Sequence, residues 1–140
     1  MNDFRLIFQA HATIKRLINQ KILSTIGISL SQAGALVQLT QSEHVSCQAL
    51  ARRLGCGTGR ISRMIHDLET RGLVDCRRSS TDRRVLELSL TTDGALLAHR
   101  VPSVLLNAER VALKALPDDE RRFLLGFLSR MIDSAAPHDS

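Results

Sequence analysis

The hydrophobic pattern of this chain changes period in one place, and that change limits the folds open to it. Up to Leu68 apolar residues recur at helical steps of three and four. From Leu73 to Leu90 they alternate, and after Thr91 the helical step returns. The alternating stretch reads as two strands, Leu73–Arg77 and Val85–Leu90, joined by the polar tip Arg78-Ser79-Ser80-Thr81-Asp82-Arg83-Arg84. The expectation is a mainly α chain with one small β-hairpin.

The helices have readable ends. Phe4, Ile7, Phe8, His11, Ile14, Ile18, Ile22 and Ile26 form one stripe, and Gly27 stops the helix they define. Ser31 is placed to cap a second helix, Gln32 to Gln41, and Ser46 a third, Cys47 to Leu54, ended by Gly55. A fourth runs from Thr58 to Arg71 with the stripe Ile61, Met64, Ile65 and Leu68, and Gly72 closes it. Thr92 to Leu116 forms a long helix in which Pro102 removes a backbone donor, with a kink expected near Ala98–Val101. Pro117 opens a last helix whose acids, Asp118, Asp119 and Glu120, suit the positive end of the helix dipole. From Ala135 the tail is expected to fray.

The terminal helices carry more apolar surface than a small central domain covers. Leu96, Leu97, Val101, Val104, Leu105, Ala108, Val111, Ala112, Leu113 and Leu116 spread beyond one stripe, so this helix needs cover on much of its circumference. A second copy of the chain is the expected cover. The organisation is then one domain, 1–140, with a central lobe at 31–91 and dimerisation helices at 1–26 and 92–135.

Charge locates the working surface. The 140 residues carry a formal +5. Between Ser46 and Arg84 lie nine arginines (52, 53, 60, 63, 71, 77, 78, 83 and 84) against Asp67, Glu69, Asp75 and Asp82, so the whole excess sits in this span. Arginine suits bidentate contact with phosphate and guanine, which points to nucleic acid as the partner.

Other classes are disfavoured. With 44% hydrophobic and 24% charged residues the composition is that of a globular protein. No apolar run reaches the roughly 18 residues of a membrane helix, and the N-terminus lacks a signal-peptide layout, so no membrane partner and a cytoplasmic location are expected. Cys47, Cys56 and Cys76 are an odd number without metal-ligand spacing, and His44, His66, His99 and His138 are isolated; no metal site and no cofactor are expected. There is no Ser-His-Asp order in a plausible frame, no phosphate loop and no carboxylate pair in an apolar setting, so the chain does not read as an enzyme.

Helix, short turn, helix and basic hairpin together make a winged helix-turn-helix. Leu50 and Leu54 of the third helix brace the fourth across the small Gly55-Cys56-Gly57 turn. The fourth helix is then free to enter a major groove, about 12 Å wide. Its first turn (Thr58, Gly59, Arg60) and the next (Ser62, Arg63) face bases and phosphates, while the hairpin tip lies along the minor groove.

The stretch SCQALARRLGCGTGRISRMIHDLETRGLVDCRRSSTDRRVLELSLTTDG, Ser46 to Gly94, closely resembles the MarR family of bacterial regulators. Three segments carry the resemblance together: ALARRLG with its turn, RISRMIHDLETRGLV, and the DRR tip followed by a strand and LTTDG. The flanking helices match in order and length. The resemblance implies a homodimer in which the first and last two helices interlock and two recognition helices read half-sites of a pseudo-palindromic operator in double-stranded DNA. It implies that Arg84 is the minor-groove arginine and that Thr58, Arg60, Ser62 and Arg63 contact DNA. The full candidate DNA set is Ser46, Thr58, Gly59, Arg60, Ser62, Arg63, Arg77, Arg83 and Arg84, with Asp82 orienting the tip. Two positions depart from the family pattern. The His66-Asp67 pair puts in doubt an acid-to-wing contact, and Gly59 lowers helix propensity by around 1 kcal/mol where hydroxyl residues are usual.

The resemblance also implies a repressor relieved by a small aromatic or phenolic acid bound between the DNA-binding lobe and the dimer helices. His11, Lys15 and Arg16 on the first helix are the candidate effector residues. The alternatives are a redox-responsive regulator acting through a cysteine, although none precedes Cys47, and a ligand-binding module that has lost DNA binding. Operator, target genes and effector identity are not written in the residues.

Overall fold

The architecture is seen in a computed structural model that describes residues 3–136; His138 lies outside the described residues. Nine elements follow in order: α1 (Asp3–Ile26), α2 (Leu30–Leu39), β1 (Val45–Ser46), α3 (Cys47–Leu54), α4 (Thr58–Thr70), β2 (Val74–Arg78), β3 (Leu86–Leu90), α5 (Thr92–Ala112) and α6 (Asp118–Ala135). The mainly α fold with a hairpin wing is as the periodicity predicts.

Local chemistry explains most element ends. α1 stops at Gly27, and α2 leaves it at a bend of 70°. Asn19 holds this bend, its side-chain oxygen accepting a 2.8 Å hydrogen bond from the Leu30 amide. α2 is capped by Ser29 and not by Ser31. The Ser29 hydroxyl accepts from the Gln32 amide, and the Gln32 side chain accepts from the Ser29 amide, a reciprocal pair that Ser31 has no partner to form. The helix therefore runs two residues ahead of the predicted span.

The sheet has three strands in the order β1-β3-β2, all antiparallel. The third strand, β1, is a correction to the two-strand reading. At two residues, Val45 opposite Leu88 and Ser46 opposite Glu87, it is too short to show a period of two. The wing pairs Val74 with Leu90 through Arg78 with Leu86.

Behind the sheet lies one continuous core. Leu36 of α2, Leu50 of α3, Ile61 and Leu68 of α4, Val74 of β2, Leu88 of β3 and Val101 of α5 are fully buried together. α1 and α2 both pack on α5, which buries Val101, Val104 and Ala108 within the single chain. This removes three residues from the apolar surplus expected to need a second copy. α5 continues through Pro102, which sits on an exposed face, and ends at Ala112, four residues before the predicted Leu116. Residues 113–116 form turns instead.

The rest of the surplus stays uncovered. α6 buries no residue along its length and exposes Phe123, Leu125, Phe127, Leu128, Met131 and Ile132. The first turns of α1 expose Phe4, Leu6, Ile7 and Phe8, and α5 exposes Leu96, Leu106 and Val111. Contiguous apolar exposure on this scale marks an interaction surface.

One contact ties the sheet to α5. Thr91 caps α5 by accepting from the Gly94 amide, donates its hydroxyl to the Gly72 carbonyl at 2.7 Å, and its own amide reaches the Leu73 carbonyl. Gly94 is consequently pressed onto Leu73, where a Cβ would fall 1.9 Å from the backbone oxygen. Gly94→Ala should destabilise the fold by about 3 kcal/mol or more, since neither backbone can move without breaking the cap. Urea denaturation at fixed protein concentration measures it, and an unchanged midpoint would show that the junction yields.

Candidate nucleic-acid interface

α3 and α4 are set by the residues between them. Ser46 caps α3 through the Ala49 amide at 3.1 Å, a contact typically worth about 1 kcal/mol. Gly55 adopts φ 65°, the left-handed conformation that lets the Cys56 amide return to the Ala51 carbonyl and turns the chain sharply. α4 then starts on Gly57, which offers no side-chain cap. The first amides of α4 are left pointing outward without a side-chain acceptor, the arrangement that binds phosphate at helix N-termini.

Burial orients α4. Ile61, Ile65 and Leu68 turn into the core, so Thr58, Gly59, Arg60, Ser62, Arg63 and His66 are exposed on the other side. The Ser62 hydroxyl donates to the Thr58 carbonyl at 2.9 Å and keeps its lone pairs for an incoming donor. A Cβ at Gly59 would meet nothing within 4 Å; no contact inside the chain requires glycine there.

The wing tip is held from inside. Ser79 is buried, its amide donates to the Val85 carbonyl at 2.8 Å, and its hydroxyl receives the Thr81 and Asp82 amides. The Asp82 carboxylate accepts from the Arg84 amide at 3.0 Å, so it orients the tip through the backbone. Arg78 donates to the Arg83 carbonyl at 2.8 Å, a bracing role that the sequence reading did not assign. Arg77, Arg83 and Arg84 are exposed.

Arg84 and the α3 cap meet. A small cavity of about 130 Å³ is lined by Ser46, Cys47, Gln48, Arg84, Val85 and Leu86. Gln48 joins the candidate set here, and nothing in its sequence context marks it. Among the described residues the ion pairs are His44–Glu87, Arg71–Asp67 and Arg121–Asp118. None involves Arg60, Arg63, Arg77, Arg83 or Arg84, so this face presents uncompensated positive charge.

Asp67 faces away from the wing. Its carboxylate accepts from the Gln32 side chain and lies 3.8 Å from Arg71, which in turn donates to the Gly27 carbonyl at 2.6 Å. The C-terminal half of α4 is thereby tied to the bend between α1 and α2. Above this tie opens a cleft of about 1010 Å³. It is bordered by His11, Lys15 and Arg16 from α1, Leu30 and Gln32 from α2, and Arg60, Arg63, Met64 and His66 from α4. The three effector candidates share this cleft with two of the arginines assigned to DNA, a juxtaposition not visible in sequence order.

Two of the three cysteines have raised thiols. Burial raises the Cys47 thiol, and neighbouring Cys76 raises it further. Burial also raises Cys76, with Glu69 adding to the rise and Arg78 opposing it. At Cys76 desolvation and Glu69 outweigh the one guanidinium, so neither of these two thiols is lowered toward the thiolate. The Cys56 sulfur lies 3.6 Å from the Leu54 carbonyl. In native protein at pH 8, iodoacetamide should alkylate Cys47 and Cys76 more slowly than in urea-unfolded chain, with the rate rising only above the ordinary thiol pKa. Site-resolved mass spectrometry reads this, and rapid native alkylation would reopen the redox alternative.

Comparison with known proteins agrees with the geometry. The MarR family model matches residues 26–85. The uncharacterised HTH-type transcriptional regulator YdgJ of Bacillus subtilis is 28% identical over 121 residues, covering 84% of this chain and 72% of that protein. The transcriptional repressor MprA of Escherichia coli is 37% identical over 87 residues, 60% of this chain and 49% of that protein. A cysteine-to-serine variant of MarR from Escherichia coli, solved with operator DNA, superposes with a TM-score of 0.78 at 24% identity, covering 95% of this chain and 92% of that one. With α3, α4, the basic wing and the flanking helices in the same order, the chain has the winged helix-turn-helix fold of these proteins and is similar to the MarR family of transcriptional regulators.

Proposed function

We propose that the protein is a homodimeric repressor of a pseudo-palindromic operator, released from DNA by a small aromatic or phenolic acid. The observation that carries the DNA-reading part is the convergence of two features on one side of the chain. The N-terminus of α4 has no side-chain cap, and the arginines of α4 and the wing have no carboxylate partner. In this reading Thr58, Gly59, Arg60, Ser62 and Arg63 enter the major groove. Ser46 contacts the backbone, and Arg77, Arg83 and Arg84 follow the minor groove, with Asp82 holding the tip. The lobe at 31–91 does the reading in the cytoplasm, and no catalytic step is involved.

Support for the dimer is the apolar surface left exposed on α6, the start of α1 and one side of α5, which would carry residues 1–26 and 92–135 into contact with a second copy. Support for repression is the likeness to MprA, which is named a repressor. Support for an effector is the cleft between α1 and α4, whose size suits a small organic acid.

A mobility-shift titration on the DNA upstream of the protein's own gene, against unrelated DNA of equal length, tests the reading. Saturable binding to the first alone is expected. Arg84→Ala should weaken it by about tenfold or more and, if a phosphate contact is lost, flatten the salt dependence by about one unit of slope; unchanged affinity at several salt concentrations would remove Arg84 from the interface. His11→Ala combined with Lys15→Ala should blunt release by aromatic acids, and normal release in that variant would move the effector site elsewhere.

A further inference from the structure

The cleft between α1 and α4 holds a charge imbalance that a simple aromatic monoacid would leave half unmet. Lys15 and Arg16 border it on the α1 side, Arg60 and Arg63 on the α4 side. Asp67 is the one carboxylate on its lining, and it is already engaged by Gln32 and Arg71. Among the described residues no carboxylate pairs with any of the four cations. The same lining carries apolar groups, those of Ala12, Leu30 and Met64.

The physics of such a site is specific. Like charges lining the two sides of one cleft repel, and their field adds within it. One carboxylate satisfies one guanidinium or one edge, because its two oxygens form a single planar fork. A monoanion therefore neutralises one edge and leaves the other bare. An apolar body carrying a carboxylate at each end meets both edges and covers the apolar part of the lining.

We propose that the cleft selects an organic dianion with an apolar body, one anionic group held by Lys15 and Arg16 and the other by Arg60 and Arg63. The inference rests on the effector reading above and deepens it. It also supplies the means of release. Arg60 and Arg63 are the α4 arginines assigned to DNA, and their side chains cannot serve the ligand and the DNA together. Ligand and operator then exclude each other by sharing donors, and by linkage each weakens the other to the same degree.

The test is calorimetric titration of the purified full chain, without DNA, using benzoate, the three benzenedicarboxylates and sulfate. At least one dicarboxylate should bind about tenfold or more tightly than benzoate, the gain of a second charge-assisted contact. Sulfate should bind far more weakly, having no apolar body. In the Arg60→Ala, Arg63→Ala double variant the dicarboxylate advantage should shrink to about twofold or less. In the mobility shift with unaltered protein, the tighter dicarboxylate should release DNA at lower concentration than benzoate. Benzoate binding as well as every dicarboxylate and releasing DNA equally would overturn the inference and leave the effector reading standing. Sulfate binding as tightly as the best dicarboxylate would overturn it in favour of a merely basic surface. A full dicarboxylate advantage in the double variant would overturn the role of α4. Failure of all the aromatic acids to bind would overturn both the inference and the effector reading.

Discussion

The burial of Ile61, Ile65 and Leu68 decides which way α4 faces, and most of the molecule's character depends on it. Because a helix turns through 3.6 residues, sending these three into the core leaves Thr58, Arg60, Ser62 and Arg63 on the opposite side. The core they enter is shared by α2, α3, the sheet and α5, so the orientation of one 13-residue helix is held by almost every other element. Truncating a residue such as Leu50 or Ile61 would remove about 2–5 kcal/mol, a large part of the stability of a domain this size. The arginine face is thus presented by a helix anchored in the core.

Polar contacts connect α4 to α1 and α2. Gln32, Asp67, Arg71 and the Gly27 carbonyl form a chain of hydrogen bonds and one ion pair from α4 to the bend between α1 and α2. Asn19 and the Ser29 cap fix the same bend. A change in how α1 sits would reach α4 along these bonds, and a ligand between α1 and α4 touches both at once. For the proposed regulator this places the ligand and the DNA on one helix, and the shared arginines require no long-range rearrangement.

Much of the fold was legible from residue pattern because its signals are local. Gly27, Gly55 and Gly72 end helices where the apolar periodicity stops, and all three have positive φ. Ser46 and Thr91 cap the helices they precede. The misreadings arose where two local signals competed. Ser29 and Ser31 both precede α2, and only the pairing with Gln32 decides between them. α5 runs through Pro102 as expected but ends at Ala112, short of the predicted Leu116. Strand β1 was invisible because two residues have no period.

The candidate interface divides along the same line. Order and composition by themselves determined the winged helix-turn-helix, the basic span from Ser46 to Arg84 and the exposed arginines of α4, because periodicity, caps and charge are properties of neighbouring residues. Only the tertiary structure brought Lys15 and Arg16 into one cleft with Arg60 and Arg63, set Gln48 beside Arg84, and turned Asp67 toward Gln32 and away from the wing. These pairings join residues up to some 50 positions apart. They depend on the angle at which α1, α2 and α4 cross, which is set by how the whole core packs and not by any segment of the chain alone.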